Sequence, residues 1–451
     1  MKKAHLRFLK DLSYMRQESF AQICRQIKSS HYTRNRKMPL LTLLYSVLCR
    51  KGRSLYMELR EFKDMFKMSS KITKSGYHQQ RMKLNPLAFL ELLRFHAKNI
   101  YTDKENVTDW KGYLLLAVDG SDINVPLTKE NVQKYGNSSH KGKETKERPQ
   151  AGVSSLYDVL NRIIIDMSIN ECKFDERKAA ISHLKQSSSV IGNKKSILLA
   201  DRGYPGANFL LDLMEMNQYF VVRLGSTHYK REIQSMTSED EWIDIIFDKT
   251  RINPYKTKGD IATAERLEKK EKIRLRFVKV PLNTGEIEFI LTNVPESIIS
   301  QNEMKTIYHC RWGIETSYDE LKNKLQLENF TGQKPIIIEQ DIYATGYLYN
   351  LISDIINDVE DEIADSKKYK QRKYPMAVNR NLAIGILKEE LIRLILEKDE
   401  KIQEALMARI MDEISENVEP VRDDRRYPRT KGQLASNYCV SAQPNGPLRV
   451  H

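Results

Sequence analysis

Cysteine is scarce in this sequence of 451 residues, which contains five of them. They are spread along the chain with no close pair, at Cys24, Cys49, Cys172, Cys310 and Cys439. A disulfide scaffold or a structural zinc site needs cysteines at short, regular spacings, so the sequence excludes both. Because unpaired thiols are typical of proteins in a reducing compartment, we predict a cytoplasmic location.

Long hydrophobic runs are absent as well. The longest one, PLLTLLYSVL at residues 39–48, is too short for a helix that must cross a bilayer. The first residues, MKKAHLRFLKDLSY, are basic but have no long apolar segment and no small-residue cleavage site. We therefore predict neither a signal peptide nor a membrane partner.

Acidic residues are outnumbered by basic ones, and the net charge is +14. Residues 1–60 hold fourteen Lys or Arg against three Asp or Glu, so most of the excess lies there. An excess of this kind favours a polyanionic partner, and nucleic acid is the first candidate. A basic surface that serves only solubility is the alternative.

Residues 1–105 have the apolar spacing of helices. Within them, residues 55–84 have the pattern of a helix-turn-helix, whose second helix would present Gln79, Gln80 and Arg81 to the bases of double-stranded DNA. Two packed helices with a polar outer face explain the same pattern equally well. We therefore predict a basic helical region with a DNA-binding role, without choosing between the two.

From residue 106 onward, short strand-like segments alternate with helices. Apolar runs at 113–118 and 196–200 are typical of strands buried on both faces. Asp119 ends the first run and Asp201 ends the second. Between them, SSLYDVLNRIIIDMSIN indicates a hairpin of two strands. Three antiparallel strands followed by helix, strand, helix and strand predict an α/β fold, with a mixed sheet covered by helices.

Two regions interrupt or follow this pattern. Residues 225–299 contain charge-rich segments and two strand-like runs, IRLRFVKV and IEFILTNV, which predict a β-rich insertion. Residues 346–451 are predicted to be helical, with a basic tail from about residue 420.

The segment at residues 307–330 predicts a single helix with two stripes. At about 100° per residue, four polar side chains fall within an arc of about 60°. They are Tyr308, Arg311, Glu315 and Lys322. An apolar stripe lies beside them, formed by Ile307, Ile314, Tyr318, Leu321 and Leu325. Such a helix can bury one flank and present a carboxylate between two cations, although an ordinary salt-bridged surface is the alternative.

Three carboxylates now have related positions, namely Asp119, Asp201 and Glu315. Hard oxygen ligands without histidine or cysteine suit Mg²⁺ or Mn²⁺ rather than zinc. Two such ions about 3.5–4 Å apart can activate a water or a 3′-hydroxyl and stabilise the leaving oxygen of a phosphodiester. Taken singly, an aspartate at a strand end is as often a turn or cap residue.

At these residues the chain resembles the DDE transposases of the bacterial insertion-sequence-four family. The resemblance rests on Asp119 in LLLAVDGSDI, on Asp201 in LLADRGY, and on the spacing Tyr308-x2-Arg311-x3-Glu315-x6-Lys322. It covers roughly residues 106–335, and it extends more loosely to KSGYHQQRMKL in the N-terminal region.

The resemblance implies an RNase H-like catalytic core, formed by residues 106–224 and 300–345 and interrupted by the insertion. It implies that Asp119, Asp201 and Glu315 are the catalytic residues and hold two Mg²⁺ or Mn²⁺ ions. The remaining members of the helical signature would contact DNA phosphates. A homodimer on paired DNA ends, in a nucleoid-associated bacterial protein, is implied in the same way.

Each of the other residues near the predicted site can be interpreted as functional or as structural. Arg202 is predicted to touch DNA or to brace its loop, and the loop residues Lys141, Lys143 and Arg148 are predicted to contact DNA or to be solvated. Asp122 is interpreted as part of a turn rather than as a fourth ligand. We expect His309 to be structural and Trp312 to be packed.

The combined prediction is a transposase. It would bind the terminal inverted repeats of its element, cleave a phosphodiester bond and join the freed 3′-hydroxyl to target DNA. Two alternatives remain at this point, a metal-dependent nuclease with the same core and an inactive relative that only binds DNA.

Overall fold

A computed structural model describes most of the chain. The described residues are 2–25, 28–33, 38–68, 71–102, 107–137, 148–282 and 285–421, with the side chain of Lys368 excepted. The predicted DNA contacts Lys141 and Lys143, and most of the basic tail, lie outside these ranges.

The chain divides into two compact units. The larger consists of Met1–Leu48 and His78–Ile355, and the smaller of Cys49–Tyr77 and Ile356–His451. Part of the N-terminal helical region, Cys49–Tyr77, belongs to the same unit as the residues from Ile356 onward. The predicted domain boundaries stay a prediction.

Helices precede, interrupt and follow the strands. In chain order they are α1 (Lys3–Met15), α2 (Glu18–Cys24), α3 (Leu40–Leu48), α4 (Leu55–Met65), α5 (Lys74–Arg81), α6 (Leu87–Thr102), α7 (Lys129–Tyr135), α8 (Glu176–Ile191), α9 (Ala207–Glu215), α10 (Lys230–Ser235), α11 (Lys249–Thr257), α12 (Ile261–Lys270), α13 (Gln301–His309), α14 (Trp312–Asp319), α15 (Pro335–Asp365), α16 (Lys367–Lys370), α17 (Arg380–Leu396) and α18 (Glu400–Glu416).

The strands form a large mixed sheet and a small second one. They are β1 (Tyr113–Asn124), β2 (Gln150–Asp158), β3 (Ile163–Glu171), β4 (Lys195–Ala200), β5 (Tyr219–Arg223), β6 (Asp240–Ile246), β7 (Lys272–Pro281), β8 (Ile287–Thr292), β9 (Met376–Val378) and β10 (Val418–Pro420). In the described residues the large sheet has eight strands in the order β3-β2-β1-β4-β5-β8-β7-β6. Strands β9 and β10 pair in the smaller unit.

The first five strands confirm the predicted RNase H-like mixed sheet. Strands β1, β2 and β3 are antiparallel neighbours, whereas β1, β4 and β5 run parallel. Parallel neighbours require crossover connections, and helices α8 and α9 supply them. The apolar runs in the sequence are therefore the central strands of this sheet.

The segment at 225–299 is not a separate β structure. Its strands β6, β7 and β8 extend the same sheet, because β8 pairs with β5 in antiparallel fashion. Helices α10, α11 and α12 lie within the segment as well. The prediction of a β-rich insertion was thus correct about the strands. It did not include these helices or the pairing of the inserted strands with the core sheet.

Membership of the apolar core cluster assigns the two faces of β1, whose residues 114–118 are all buried. Leu114, Leu116 and Val118 belong to one apolar cluster, which also contains residues of α8 and α9. Successive side chains of a strand point to opposite faces, so Ala117 and Asp119 face the other side. Helix α14 packs against β1, and its Tyr318 reaches the backbone of Asp119.

Among the described residues, no helix is both long enough and apolar enough to cross a membrane. Helix α15, the longest, carries several acidic side chains along its length.

Candidate functional site

The parallel pairing of β1 and β4 brings two of the predicted acidic residues side by side. Ala117 is paired with Leu199 at the end of the ladder, and Asp119 and Asp201 each follow two residues later. Equivalent positions on adjacent parallel strands are neighbours, so the two carboxylates meet at the same sheet edge. Asp119 is not at a strand end, however, because β1 continues to Asn124 and pairs with β2 there.

The turn expected around Asp122 is therefore wrong. Asp122 pairs with Gly152 of β2, so the residues Asp-Gly-Ser-Asp are extended strand. Their polar character resembled a turn, but pairing with β2 satisfies the backbone hydrogen bonds. The side chain of Asp122 is exposed.

Asp119 occupies an unusual electrostatic environment. Burial, together with the negative charge of nearby Asp201, raises its pKa to about 7, although the backbone amide of Gly120 and the guanidinium of Arg311 act in the opposite direction. The Gly120 amide donates to Asp119 Oδ1 at 2.9 Å, and the Gly203 amide donates to Asp201 Oδ1 at 2.7 Å. A cation placed between the two carboxylates would relieve their repulsion.

Glu315 lies on α14 and is held by a buried cation. Arg311 Nη2 donates to Glu315 Oε1 at 2.5 Å, and the Arg311 side chain is 5% exposed against 41% for Glu315. The buried residues Ile314 and Tyr318 fix α14 to the core. The Glu315 carboxylate is therefore partly exposed and forms an ion pair with the buried guanidinium of Arg311.

Tyr318 links α14 to the backbone of the strand that carries Asp119. Its hydroxyl accepts a hydrogen bond from Ser155 Oγ at 2.9 Å and lies within donating distance of the carbonyls of Asp119 (3.1 Å) and Val153 (3.2 Å). The sequence assigned Tyr318 only to the apolar stripe. The signal that was missed is a hydroxyl on an otherwise apolar flank, since a buried tyrosine hydroxyl normally finds a partner.

Replacement Tyr318→Phe tests this link. We expect the free energy of unfolding to fall by about 1–3 kcal/mol, because buried partners of the hydroxyl lose a hydrogen bond. If the site cleaves DNA, its rate should fall by up to about 10²-fold through displacement of Asp119. Urea denaturation and a DNA cleavage assay measure the two effects.

Tyr349→Phe is the matched control, because the hydroxyl of Tyr349 pairs with that of Tyr157 at 2.9 Å rather than with the backbone of Asp119. A similar loss of cleavage in both variants would mean that Tyr318 has no particular role in holding Asp119.

The structure corrects the single helix predicted at 307–330. Residues Cys310 and Arg311 form a turn between α13 and α14, and Glu320–Lys324 is a π-helical segment. The assumption of about 100° per residue therefore fails near Lys322. Its ammonium group donates to the backbone carbonyl of Asp122 at 2.8 Å, which directs this cation toward β1.

Tyr308 and Arg311 are more buried than a surface stripe implies. Tyr308 is 5% exposed, and the Arg311 guanidinium lies 5.8 Å from the centroid of its ring. Nε of Arg311 makes no hydrogen bond of normal geometry with any described group, whereas the Tyr308 hydroxyl interacts with the Arg311 side chain. A buried guanidinium N–H without a partner, next to the carboxylates, is a donor that an anionic ligand can satisfy.

Two neighbours of Tyr308 and Arg311 in the sequence are more exposed than expected. His309 is exposed, and Trp312 is 40% exposed rather than packed. The Arg311 guanidinium lies 5.8 Å from the ring centroid of Trp312. The periodicity of the sequence therefore did not predict the exposure of these two side chains.

Among the other predicted DNA contacts, the one from Arg81 is wrong, because this side chain is buried. It is fully buried and forms a salt bridge with Asp341, so it cannot present its guanidinium to a base. Gln79 is exposed and Gln80 is half-buried. The charges of Arg81 and Asp341 lie 260 residues apart in sequence, so their pairing could not be recognised locally.

Two predicted contacts in loops are accessible. Arg202, directly after Asp201, is exposed, and so is Arg148 at the start of β2. Both positions are compatible with the predicted contact to a polyanion. Their role stays a prediction.

The donor chemistry of the site fits Mg²⁺, since only carboxylate oxygens converge on the sheet edge. In the described residues, no three or more His, Cys, Asp or Glu side chains are arranged to hold a metal ion. Asp119, Asp201 and Glu315 are suitable ligands for Mg²⁺ by the type of their donor atoms.

Comparison with known proteins adds an independent observation. The family described as Transposase DDE domain matches this chain over residues 110–351. Transposase InsG of insertion sequence element IS4, from Escherichia coli strain K12, is 23% identical over 248 residues, which are 54% of this chain and 52% of that protein. The match thus spans about half the length of that relative.

Among solved structures, a cryo-EM structure of the piggyBac transposase synaptic complex with hairpin DNA has a TM-score of 0.42 at 11% identity, covering 89% of this chain and 80% of that one. The span of the family match contains Asp119, Asp201 and Glu315.

Proposed function

We propose, from the premise that the chain belongs to the Transposase DDE domain family, that it acts on the ends of its own mobile element. In this proposal it binds the terminal inverted repeats and hydrolyses a phosphodiester bond there. It then joins the freed 3′-hydroxyl to target DNA. The observation that carries the proposal is the adjacency of Asp119 and Asp201 at one sheet edge, beside the helix that bears Glu315.

The three carboxylates would hold the metal ions of the reaction. Bound there, two Mg²⁺ or Mn²⁺ ions would activate the attacking oxygen and stabilise the leaving oxygen of the phosphodiester. Asp119 must be ionised for this role, and its raised pKa means that it holds a proton part of the time near pH 7 when no cation is present. Glu315 must exchange its partner Arg311 for a cation.

The basic and hydroxyl groups of the helical signature would contact the DNA backbone. Arg311 can donate to two phosphate oxygens at once, and these hydrogen bonds would replace its ion pair with Glu315. The hydroxyl of Tyr308 would donate to the same phosphate. Nε of Arg311 is a buried donor without a hydrogen-bond partner among the described groups, which supports the proposal. Lys322 would add a point charge at the β1 side of the cleft. Fixed cations stabilise the negative charge that gathers in the transition state.

Incubation of the full-length protein with DNA that carries the inverted repeats flanking its gene tests the proposal. We expect cuts at the element ends in Mg²⁺, and joining of the cut ends to a second DNA. Removal of the metal with EDTA should abolish cleavage without abolishing DNA binding, because the phosphate contacts come from protein cations. Sequencing of the products and a gel-shift measurement give the two readouts.

The products distinguish the alternatives. Cleavage without joining would indicate a nuclease, and binding without cleavage by the wild type would indicate an inactive relative. Two ends must be processed together for joining, so we also propose a homodimer on paired ends. Light scattering of the DNA complex measures that stoichiometry.

A further inference from the structure

Four charged or titratable side chains from three helices meet in the interior of the larger unit, and none of them belongs to the candidate site. This set, called the α1 cluster below, consists of Arg7 and Asp11 of α1, His96 of α6 and Asp354 of α15, each at most 4% exposed. Arg7 donates to Asp354 from Nε at 2.7 Å and from Nη2 at 2.6 Å. The guanidinium of Arg7 therefore matches the charge of one of the two carboxylates.

The imidazole of His96 lies between the two carboxylates. Its Nδ1 is 2.6 Å from Asp11 Oδ2, and its Nε2 is 3.5 Å from Asp354 Oδ2. The hydroxyl of Tyr347 donates to Asp11 Oδ2 at 3.0 Å, and the Tyr347 ring packs edge-on against the imidazole with 5.9 Å between centroids. A hydroxyl adds no charge, so the positive charge opposite the aspartates comes from Arg7 and, when it is protonated, from His96.

The charges of the α1 cluster balance only when it holds a proton. Two carboxylates against one guanidinium leave one negative charge, which is strongly destabilising when it is buried and uncompensated. Although burial acts to lower the pKa of His96, the charge and hydrogen bond of Asp11, and then the charge of Asp354, raise it above its ordinary value. Burial raises the pKa of Asp11 as well, so both members of the pair favour retention of the proton.

We propose that the α1 cluster attaches α1 to α6 and α15 in a proton-dependent way. In the folded protein the cluster retains one proton, shared between Asp11 and His96, which the unfolded chain releases. The attachment of α1 therefore weakens as the pH rises. Because α1 begins the basic region at residues 1–60, the cluster fixes the start of that region to the larger unit. This inference does not rest on the proposed function.

A second buried imidazole has a different balance of charges. His183 Nδ1 is 2.7 Å from Asp166 Oδ2, and Arg94 donates to Oδ1 of the same carboxylate from Nε at 2.9 Å and from Nη2 at 2.7 Å. One guanidinium matches one carboxylate here, so this group needs no additional proton for its charges to balance. His183 therefore provides a matched control for His96.

Loss of the shared proton should destabilise the larger unit at alkaline pH. A pKa that is higher in the folded state gives stability that is fully present below the pKa of the unfolded histidine, about 6.5, and is lost as the pH rises through the folded value. In that range one retained proton raises the equilibrium constant of unfolding by up to about tenfold per pH unit.

Urea denaturation of the full-length protein between about pH 7 and pH 9, followed by tryptophan fluorescence, tests the proposal. We expect the unfolding constant of the wild type to rise with pH more steeply than that of Asp11→Asn. Asparagine keeps the size of the side chain, and Asp354 alone is then matched by Arg7, so the cluster needs no proton. His183→Gln should keep the steep rise of the wild type, because it leaves the α1 cluster intact.

Two results with the variants would overturn the proposal. One is an equal pH dependence in the wild type and in Asp11→Asn, and the other is loss of the steep rise in His183→Gln. If Asp11→Asn does not fold, the wild type decides alone. A wild-type unfolding constant that does not rise between about pH 7 and pH 9 overturns the proposal, whereas a rise of up to about tenfold per pH unit supports it.

Discussion

Replacement Glu315→Gln is expected to lower cleavage of element ends by about 10³-fold or more, while DNA binding stays within about twofold of the wild type. Catalytic groups that act as a unit lose orders of magnitude in rate when one member is removed. Glutamine keeps the size of the side chain but carries no charge for a cation. Cleavage of a labelled DNA end and a gel shift on the same DNA measure the two quantities.

Asp319→Asn is the matched control, because Asp319 is an exposed carboxylate one turn further along α14 that contacts Asn323. We expect its cleavage rate to stay within about twofold of the wild type. Cleavage by Glu315→Gln at more than about a tenth of the wild-type rate would remove Glu315 from the proposed site. Loss of cleavage together with loss of the folded state would have to be separated by a melting curve, since Glu315 also pairs with the buried Arg311.

Replacement Arg81→Met is expected to destabilise the larger unit by about 3–5 kcal/mol. Arg81 Nε donates to Gln340 Oε1 at 2.7 Å and Nη2 donates to Asp341 Oδ1 at 2.8 Å, with both members of the ion pair fully buried. Removal of the cation leaves Asp341 as an uncompensated charge in the interior. Urea denaturation followed by tryptophan fluorescence measures the effect, because Trp110, Trp242 and Trp312, the three tryptophans of the chain, all lie in the larger unit.

The control for this prediction is Gln79→Ala on the same helix, α5. Gln79 is exposed, and surface substitutions usually change the free energy of unfolding by less than about 0.5 kcal/mol. If Arg81 were instead a base-reading residue, Arg81→Met would weaken DNA binding and leave the urea midpoint unchanged. That outcome would contradict the structural role.

Much of the region that carries the candidate site was predictable because its strands are apolar and short. The runs before Asp119 and Asp201 are β1 and β4, and the hairpin SSLYDVLNRIIIDMSIN is β2 and β3. Strands buried on both faces leave a continuous apolar signal that does not depend on their partners. The apolar stripe from Ile307 to Leu325 was also predicted correctly, since all five of its members are buried.

The polar partners of these elements were harder to predict. The distinction between Gln79, which is exposed, and Arg81, which is buried, depends on Asp341 in α15. The position of Lys322 was predicted from a regular α-helix, whereas the structure has a π-helical segment there. In both cases a local pattern cannot reveal which distant group satisfies the charge or where a helix changes its pitch.

The sequence by itself determined the types of residue, their order and the strands that carry them. It also determined that the candidate ligands are three carboxylates, with no histidine or cysteine among them. Only the tertiary structure decided that Asp119 and Asp201 are neighbours, because this follows from the register of β1 against β4. It also decided that Arg311 is buried beside Glu315. The physical reason is that pairing register and helix packing depend on contacts between residues far apart in the chain, whereas burial and periodicity leave a local trace.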